Sequence, residues 1–219
     1  MTKTMQIDFV SDVVCPWCAI GLAELKTALA RLTDVVKPDI ELQPFELNPG
    51  MSKEGQDMAE HMVQKFGPDA MARMGGARDA LIKRAADVGF TMAMREGGRI
   101  WSSFDAHRLL HWAGLEDKDK AIALKQALFG AYFTESLNIS DPDILVAKAE
   151  SVGLDGAKAR EVLTSGRYRT EVEAAEMKWK QAGINSVPSV VINKKYLIAG
   201  GQTAAVFEQS LRQIAAEAT

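Results

Sequence analysis

The only two cysteines of this 219-residue chain flank a Pro-Trp pair in the stretch Cys15-Pro16-Trp17-Cys18. Two thiols at this spacing can form and break a disulfide, which is the chemistry of thiol–disulfide exchange. A proline at the first position of a helix sacrifices no hydrogen bond, so Pro16 predicts a helix that begins there with Cys15 as its N-cap. The free N–H groups at that helix end favour the thiolate of Cys15. We therefore expect an exposed attacking sulfur at Cys15 and a shielded resolving sulfur at Cys18.

Other uses of a close cysteine pair fit the sequence less well. A zinc site needs further ligands, but the chain has no second Cys-x-x-Cys and its three histidines are scattered. A mixed site that adds His107 and His111, which are four residues apart, is the remaining metal alternative. A structural disulfide in so short a ring would constrain little of the unfolded chain. We expect redox chemistry and no metal.

The segments around the cysteines carry the patterns of a strand and a helix. Met5–Val10 alternates apolar and polar residues, which predicts a half-buried strand. After it, apolar residues recur every three or four positions, which predicts one buried helix face: Cys18, Leu22, Leu25, Leu29 and Leu32. A second strand is predicted over Ile40–Phe45.

The rest of the chain predicts a helical block followed by a hairpin. Residues 52–182 contain helical periodicity and no convincing strand. Strand character returns at Ser189–Ile192 and Tyr196–Ala199, and a last helix follows. Without the helical block, the element order is that of a thioredoxin fold. We therefore predict an α/β protein, a thioredoxin fold with a large all-α insertion, in which residues 1–49 and 167–219 form the thioredoxin domain and residues 50–166 the insertion.

Val187-Pro188 directly precedes the first hairpin strand. Thioredoxin folds place a cis-proline loop at this point, opposite the cysteine pair, so we expect a cis bond before Pro188. The backbone of Val187 would then face the cysteines, and an extended substrate chain could add to it as a strand. In the alternative interpretation, Pro188 is only the first residue of an edge strand.

These motifs resemble the DsbA-like thioredoxin family, specifically its FrnE-like or 2-hydroxychromene-2-carboxylate isomerase-like branch. The matching segments run in order along nearly the whole chain: Asp8-Phe9, Asp12, Cys15-Pro16-Trp17-Cys18, Phe45-x-Leu47-Asn48-Pro49, Ala106-His107-Arg108-Leu109, Ala131-Tyr132-Phe133, Val187-Pro188 and Gly200-Gly201-Gln202. The resemblance implies a DsbA-like thiol–disulfide oxidoreductase with an inserted helical domain. It also implies protein or peptide thiols and disulfides as partners, no tightly bound cofactor, and glutathione as a candidate thiol co-substrate.

The resemblance leaves two other functions open. Isomerases of the branch carry a serine near the position of Cys15, so the chain is alternatively a glutathione-dependent isomerase of a small aromatic acid. A redox-sensing module without catalytic turnover is the third hypothesis. Both cysteines favour the oxidoreductase, because Cys18 would have no task in an isomerase.

Two departures from the family pattern bear on redox behaviour. The periplasmic oxidants carry Pro-His between their cysteines, whereas this chain has Pro16 and Trp17. With only the helix end to stabilise the Cys15 thiolate, we expect a less oxidising disulfide. Some FrnE-like proteins carry a second cysteine pair, which is absent here, so an external thiol must recycle the protein.

Two neighbours of the cysteines are further candidates for the site. Trp17 offers a flat apolar contact for substrate, although simple packing is the alternative. Asp12 is a candidate for proton transfer to or from Cys18, although an aspartate before a helix usually accepts a local hydrogen bond. His107 and Arg108 either approach a substrate carboxylate or satisfy internal hydrogen bonds.

Charge and hydropathy exclude some partners. The net charge is −3 and the isoelectric point is about 5.7, without a dominant basic cluster, so we expect no nucleic-acid partner. No run of about 18 apolar residues predicts a membrane span. The chain passes from Met1 into a strand without an apolar signal region, so with Met1 as the native start we expect a cytoplasmic protein.

Overall fold

The computed structural model describes residues 2–93 and 97–217, with only the backbone given for residues 71–74. The strands are β1 (Lys3–Ser11), β2 (Val36–Pro44), β3 (Gln56–Asp57), β4 (Arg99–Ile100), β5 (Ser189–Ile192) and β6 (Tyr196–Ala199). The helices are α1 (Pro16–Ala30), α2 (Met58–Phe66), α3 (Ala70–Asp87), α4 (Phe104–Glu116), α5 (Lys118–Phe129), α6 (Pro142–Ser151), α7 (Gly156–Ser165), α8 (Arg169–Gln181) and α9 (Ala204–Glu217). A π-helical turn, Gly130–Thr134, follows α5 directly.

The main sheet has four strands in the order β2-β1-β5-β6. Strand β2 runs parallel to β1, while β5 is antiparallel to β1 and forms the predicted hairpin with β6. Strand β2 begins at Val36, four residues before the predicted start at Ile40. It can include Pro38, which lacks a donor, because β2 lies at the edge of the sheet.

Helix α1 forms as the sequence predicts. Cys15 is its N-cap residue, Pro16 occupies the first helical position, and the helix ends at Ala30. Its buried face includes the predicted apolar row of Cys18, Leu22, Leu25 and Leu29. This face packs into a core shared with the sheet and α9, to which Phe207 and Leu211 contribute.

Between β2 and β5 lies the long helical segment. It has an apolar core of its own, built mainly from α4 to α7, with Leu109, Leu124 and Val162 among its buried residues. The expectation of helices alone missed the antiparallel pair of β3 and β4. Each of these strands is two residues long, too short for alternation to be visible in the sequence. The boundaries at residues 50 and 166 stay predictions.

No helix within residues 2–93 and 97–217 is both long enough and apolar enough to cross a lipid bilayer.

Candidate active site

The two cysteines lie at the start of α1, and both are free thiols. The Cys15 thiol donates a hydrogen bond to the carbonyl oxygen of Val187 over 3.5 Å. Cys18 is one turn further along the helix, fully buried, and hydrogen-bonded to Cys15. Burial, and then the contact with Cys15, raises the pKa of the Cys18 thiol well above its usual value. Cys18 is therefore protonated at neutral pH in this state.

The expectation of an exposed sulfur at Cys15 is wrong. The residue is only 4% exposed, because the carbonyl of Val187 lies against its sulfur. A capping cysteine is exposed in an isolated helix, but here a segment from the far end of the chain covers it.

Close packing around glycines holds the segment that covers Cys15. The Val187–Pro188 peptide bond is cis, and the carbonyl of Pro188 accepts a hydrogen bond from the Gly200 amide at 2.8 Å. A Cβ added to Gly21 would lie 3.0 Å from Pro188 Cγ and 3.4 Å from Gly201 Cα. The missing side chain of Gly21 thus lets α1 approach both segments.

Pro16 and Trp17 lie between the cysteines, toward solvent. Pro16 is half-buried and Trp17 is 42% exposed. Part of the indole is covered, because a Cβ added to Gly201 would lie 3.3 Å from Trp17 Cε3. The remainder is a flat apolar surface next to the redox pair, so Trp17 both packs against its neighbour and offers contact area.

Asp12, three residues before Cys15, is fully buried. Its Oδ1 accepts from the Val14 amide at 3.3 Å and its Oδ2 from the Leu47 amide at 2.7 Å. His107 Nε2 lies 3.4 Å from Oδ1. Burial acts to raise the pKa of Asp12, but the nearby His107 imidazole and the hydrogen bond from the Leu47 amide outweigh it and lower the pKa below its usual value. Asp12 is therefore an ionised acceptor with local partners, and its role in proton transfer stays a prediction.

The sequence-based interpretation misses Lys125, a fully buried lysine of α5. Its Nζ lies 3.5 Å from the Ser11 carbonyl and 5.4 Å from the centre of the Phe129 ring. Burial lowers the pKa of Lys125 to about 8, although the charges of Cys18, Asp12 and Cys15 act to raise it. Its position on the apolar face of α5, four residues after Ala121, is the signal that could have identified it.

A pair of buried carboxyls, Glu46 and Glu176, is also missed. Burial, then repulsion by Glu176 and Asp12, raises the pKa of Glu46 to about 8. Burial raises the pKa of Glu176 to about 7, against the attraction of Lys180. Glu176 Oε1 finds no hydrogen-bond partner among the described residues. Near neutral pH these raised pKa values leave Glu46 mainly protonated and Glu176 partly so.

His107 and Arg108 have different surroundings. His107 is buried beside Asp12, and burial lowers the pKa of its imidazole. The Arg108 guanidinium donates to Asp105 Oδ1 and to the Arg167 carbonyl, each at 2.7 Å, and also to the Val162 carbonyl. Arg108 therefore satisfies internal hydrogen bonds, which joins α4 to α7 and to the start of α8.

Two thiols within one helical turn, one of them against the backbone of Val187, can exchange a disulfide with another molecule. No three His, Cys, Asp or Glu residues in the described parts of the chain are grouped so as to hold a metal ion.

Comparison with known families agrees with this chemistry. The model of the DSBA-like thioredoxin domain matches residues 6–212, which include both cysteines and Lys125. The chain belongs to this family. Its members are generally thiol–disulfide oxidoreductases. An uncharacterised Bacillus subtilis protein, YwbO, is similar to this chain, with 29% identity over 212 residues that cover 95% of the chain and 96% of YwbO.

Solved structures confirm the predicted fold for this DsbA-like chain. A probable DsbA oxidoreductase from Streptomyces coelicolor is similar, with a TM-score of 0.85 and 34% identity over 95% of this chain and 89% of that one. The cytosolic disulfide reductase DsbM from Pseudomonas aeruginosa, solved with GSH, has a TM-score of 0.66 at 14% identity, over 95% and 98% of the two chains. A 2-hydroxychromene-2-carboxylate isomerase has a TM-score of 0.71 at 15% identity, over 95% of each. The last two likenesses concern the fold alone.

Proposed function

We propose that this protein is a thiol–disulfide oxidoreductase in which Cys15 attacks and Cys18 resolves. The observation that carries the proposal is the position of Cys15 Sγ, at the N-terminus of α1 and 3.5 Å from the carbonyl of Val187. Cys18 lies directly behind it, buried and bonded to it. A lone reactive cysteine would need no such partner.

The cycle begins when the Cys15 thiolate attacks a substrate disulfide and forms a mixed disulfide. Cys18 then attacks Cys15, which forms the intramolecular disulfide and releases the substrate as a thiol. In reverse, the same steps oxidise a substrate dithiol. Because Cys15 is covered by Val187, an extended substrate reaches it by pairing with the Val187–Pro188 backbone as an added strand.

Residues beside the pair supply contact and proton transfer. Trp17 and Pro16 give the substrate an apolar surface next to the attacking sulfur. Asp12 takes part in proton transfer for Cys18, since it is ionised and fully buried close to the pair.

The partners of this site are protein or peptide thiols and disulfides, with glutathione as a thiol co-substrate that recycles the pair. The chain contains no further cysteine for that step. A pair without a basic residue between its cysteines is suited to a reducing compartment, and we place the protein in the cytoplasm on that ground.

An insulin-reduction assay with glutathione as the electron donor tests the proposal. The native protein should catalyse precipitation of the insulin chains, and Cys15→Ser should abolish it, because the attacking sulfur is gone. Cys18→Ser should instead accumulate a mixed disulfide with glutathione, visible by mass spectrometry. Activity that persists in Cys15→Ser contradicts the proposal. Turnover of a chromene carboxylate without disulfide exchange would favour the isomerase instead.

A further inference from the structure

We propose that water and protons reach Cys18 from the side away from the substrate, through a cleft between β2, α4 and α5 that ends at Lys125 and His107. This inference rests on the proposed function and assigns a task to residues of the helical segment. The resolving cysteine would then exchange its proton with solvent while the substrate still covers Cys15.

The cleft has a volume of about 260 Å³ and is lined by regular faces of two helices. From α4 come His107, Leu110, His111 and Gly114. Their spacing of three, four and seven residues places them on one helical face. From α5 come Lys118, Ala121 and Lys125, at the same kind of spacing. Residues 40–44 of β2 form the third wall.

Burial increases from the mouth of the cleft to its inner end. Lys118 is exposed at the mouth, where its Nζ binds Asp39 Oδ1 at 2.5 Å and Glu41 Oε1 at 3.0 Å. These bonds hold the Lys118 ammonium at the rim. His107 and Lys125 are 3% and 1% exposed at the inner end. The cleft therefore leads from solvent to the polar groups beside the cysteines.

The polar atoms at the inner end are incompletely paired. Lys125 Nζ reaches the Ser11 carbonyl only at 3.5 Å, and His107 Nε2 lies 3.4 Å from Asp12 Oδ1. Both distances exceed the usual range for such bonds. Ser11 Oγ has no hydrogen-bond partner among the residues that the structure describes. Buried polar atoms in this situation normally bind water, which a cleft open to solvent can supply.

Lys125 has the proton affinity that this task requires. Burial lowers its pKa to about 8, so it gains and loses a proton near neutral pH. Its charge interacts with Cys18, Asp12 and Cys15. A positive charge here lowers the pKa of the Cys18 thiol, against the larger effect of burial.

Three other titratable groups interact with Asp12. These are Glu46 after β2, Glu176 of α8 and Tyr132 of the π-helical turn, and each interacts with the charge of Asp12. His111 lines the cleft, where burial lowers its pKa. None of these three groups lines the cleft, whereas Lys125 and the two histidines do, together with Lys118 and Glu41, which pair with each other at the mouth.

The substrate side offers no such exit. Cys18 is fully buried, and the Val187–Pro188 segment that covers Cys15 precedes β5. The cleft lies along β2, on the other side of β1 in the sheet. A substrate bound at Val187 closes the front of the site further, whereas the cleft stays open.

The resolving step moves one proton and two electrons. The Cys18 thiol gives up its proton, its sulfur bonds to Cys15 Sγ, and the bond between Cys15 Sγ and the substrate sulfur breaks. The electron pair leaves with the substrate as a thiolate, so the substrate disulfide gains two electrons and the cysteine pair loses two. The Cys18 proton passes to neutral Lys125, with His107 beside it, and leaves through the cleft to water.

Stopped-flow mixing of the reduced protein with a symmetric aromatic disulfide whose thiolate is coloured separates the two steps. The first colour release reports attack by Cys15, and the second reports attack by Cys18. Lys125→Met should slow the second phase about a hundredfold at neutral pH, at the lower end of what a positioned proton-transfer group contributes. The first phase should change far less. Lys120→Met is the matched control on α5, since its ammonium binds the Gly153 carbonyl instead.

A second variant tests the cleft without touching its inner end. Gly114→Leu places a side chain on the cleft face of α4, where an added Cβ meets no atom within 4 Å. It should slow the second phase severalfold, while Gly75→Leu in α3, also in open space, should not. Thiolate absorbance of Cys18 in a Cys15→Ala background should titrate at higher pH once Lys125→Met is added.

The outcomes separate the two proposals. Absence of any first phase in the native protein overturns the proposed function. A normal first phase with an unchanged second phase in Lys125→Met or Gly114→Leu overturns this inference alone.

Discussion

Trp17 is the residue on which we base the expectation that the cysteine pair is not strongly oxidising. The thiolate of Cys15 has the N-terminus of α1 beside it, and the side chain between the cysteines adds an aromatic surface rather than a charge. Stabilisation of the thiolate in the reduced form is what makes a disulfide oxidising. The identity of residue 17 therefore bears on the potential of the pair more than on its geometry.

Trp17→His should make the pair more oxidising by tens of millivolts, because an imidazolium next to Cys15 would stabilise the reduced form, and about 30 mV corresponds to 1.4 kcal/mol. Equilibration with glutathione redox buffers, followed by mass spectrometry, measures the shift. Trp17→Phe, which keeps an uncharged ring, is the control. An equal shift in both variants would assign the effect to packing instead of charge.

Lys125 and Cys15 show which parts of the site could be predicted from sequence. The N-cap position of Cys15 and the helix that starts at Pro16 follow from local patterns, and the place of the Val187–Pro188 segment opposite the cysteines follows from the predicted thioredoxin fold. The cover over Cys15 and the burial of Lys125 do not, because each depends on a surface supplied by a distant segment. A lysine on a helix is normally solvated, and only the packing of α5 on the sheet buries this one.

At the scale of elements, the contact between α1 and the Val187–Pro188 segment depends on a helix position without a side chain. Gly21 is fully buried in the second turn of α1, facing Pro188 and Gly201. Glycine weakens a helix interior, so its presence here is explained by the close approach. The sequence pattern of α1 predicts the helix but not this requirement.

Gly21→Leu should therefore destabilise the fold by about 1–3 kcal/mol, the usual range for overpacking a core. It should also displace Val187 from Cys15 and slow disulfide exchange. Urea unfolding and the insulin assay measure the two effects. Gly76→Leu in α3, where an added Cβ meets no atom within 4 Å, is the control and should be neutral or slightly stabilising. A Gly21→Leu protein with native stability contradicts this account.

Across the whole molecule, the buried carboxyl of Glu46 interacts with acidic groups from several different elements. Glu46 follows β2, and its charge interacts with Glu176 of α8, Asp12 before α1 and Asp105 of α4. The folded state binds a proton at Glu46 over the range from about 4.5, its usual pKa, to about 8. Unfolding releases that proton, so stability falls as the pH rises through this range.

Glu46→Gln removes this penalty, because an amide does not titrate. The variant should match the native protein in stability near the acidic end of the range and exceed it by about 1–3 kcal/mol above the folded pKa. Urea unfolding at several pH values measures the difference. Glu208→Gln, which removes a partly exposed carboxylate of α9 outside this cluster, is the control. An equal effect of Glu46→Gln at both ends of the range contradicts the assignment.

The cover over Cys15 also has a consequence for the newly made protein. The two cysteines emerge from the ribosome before Lys125 and well before Pro188, because they precede both residues in the chain. Domains fold as units once enough chain is available. Until then the thiols of the nascent chain are exposed to solvent, without Lys125 beside them and without the Val187–Pro188 segment over Cys15. During that interval they are ordinary exposed cysteines, open to premature oxidation. Synthesis and docking of the Val187–Pro188 segment are thus the events that remove Cys15 from solvent.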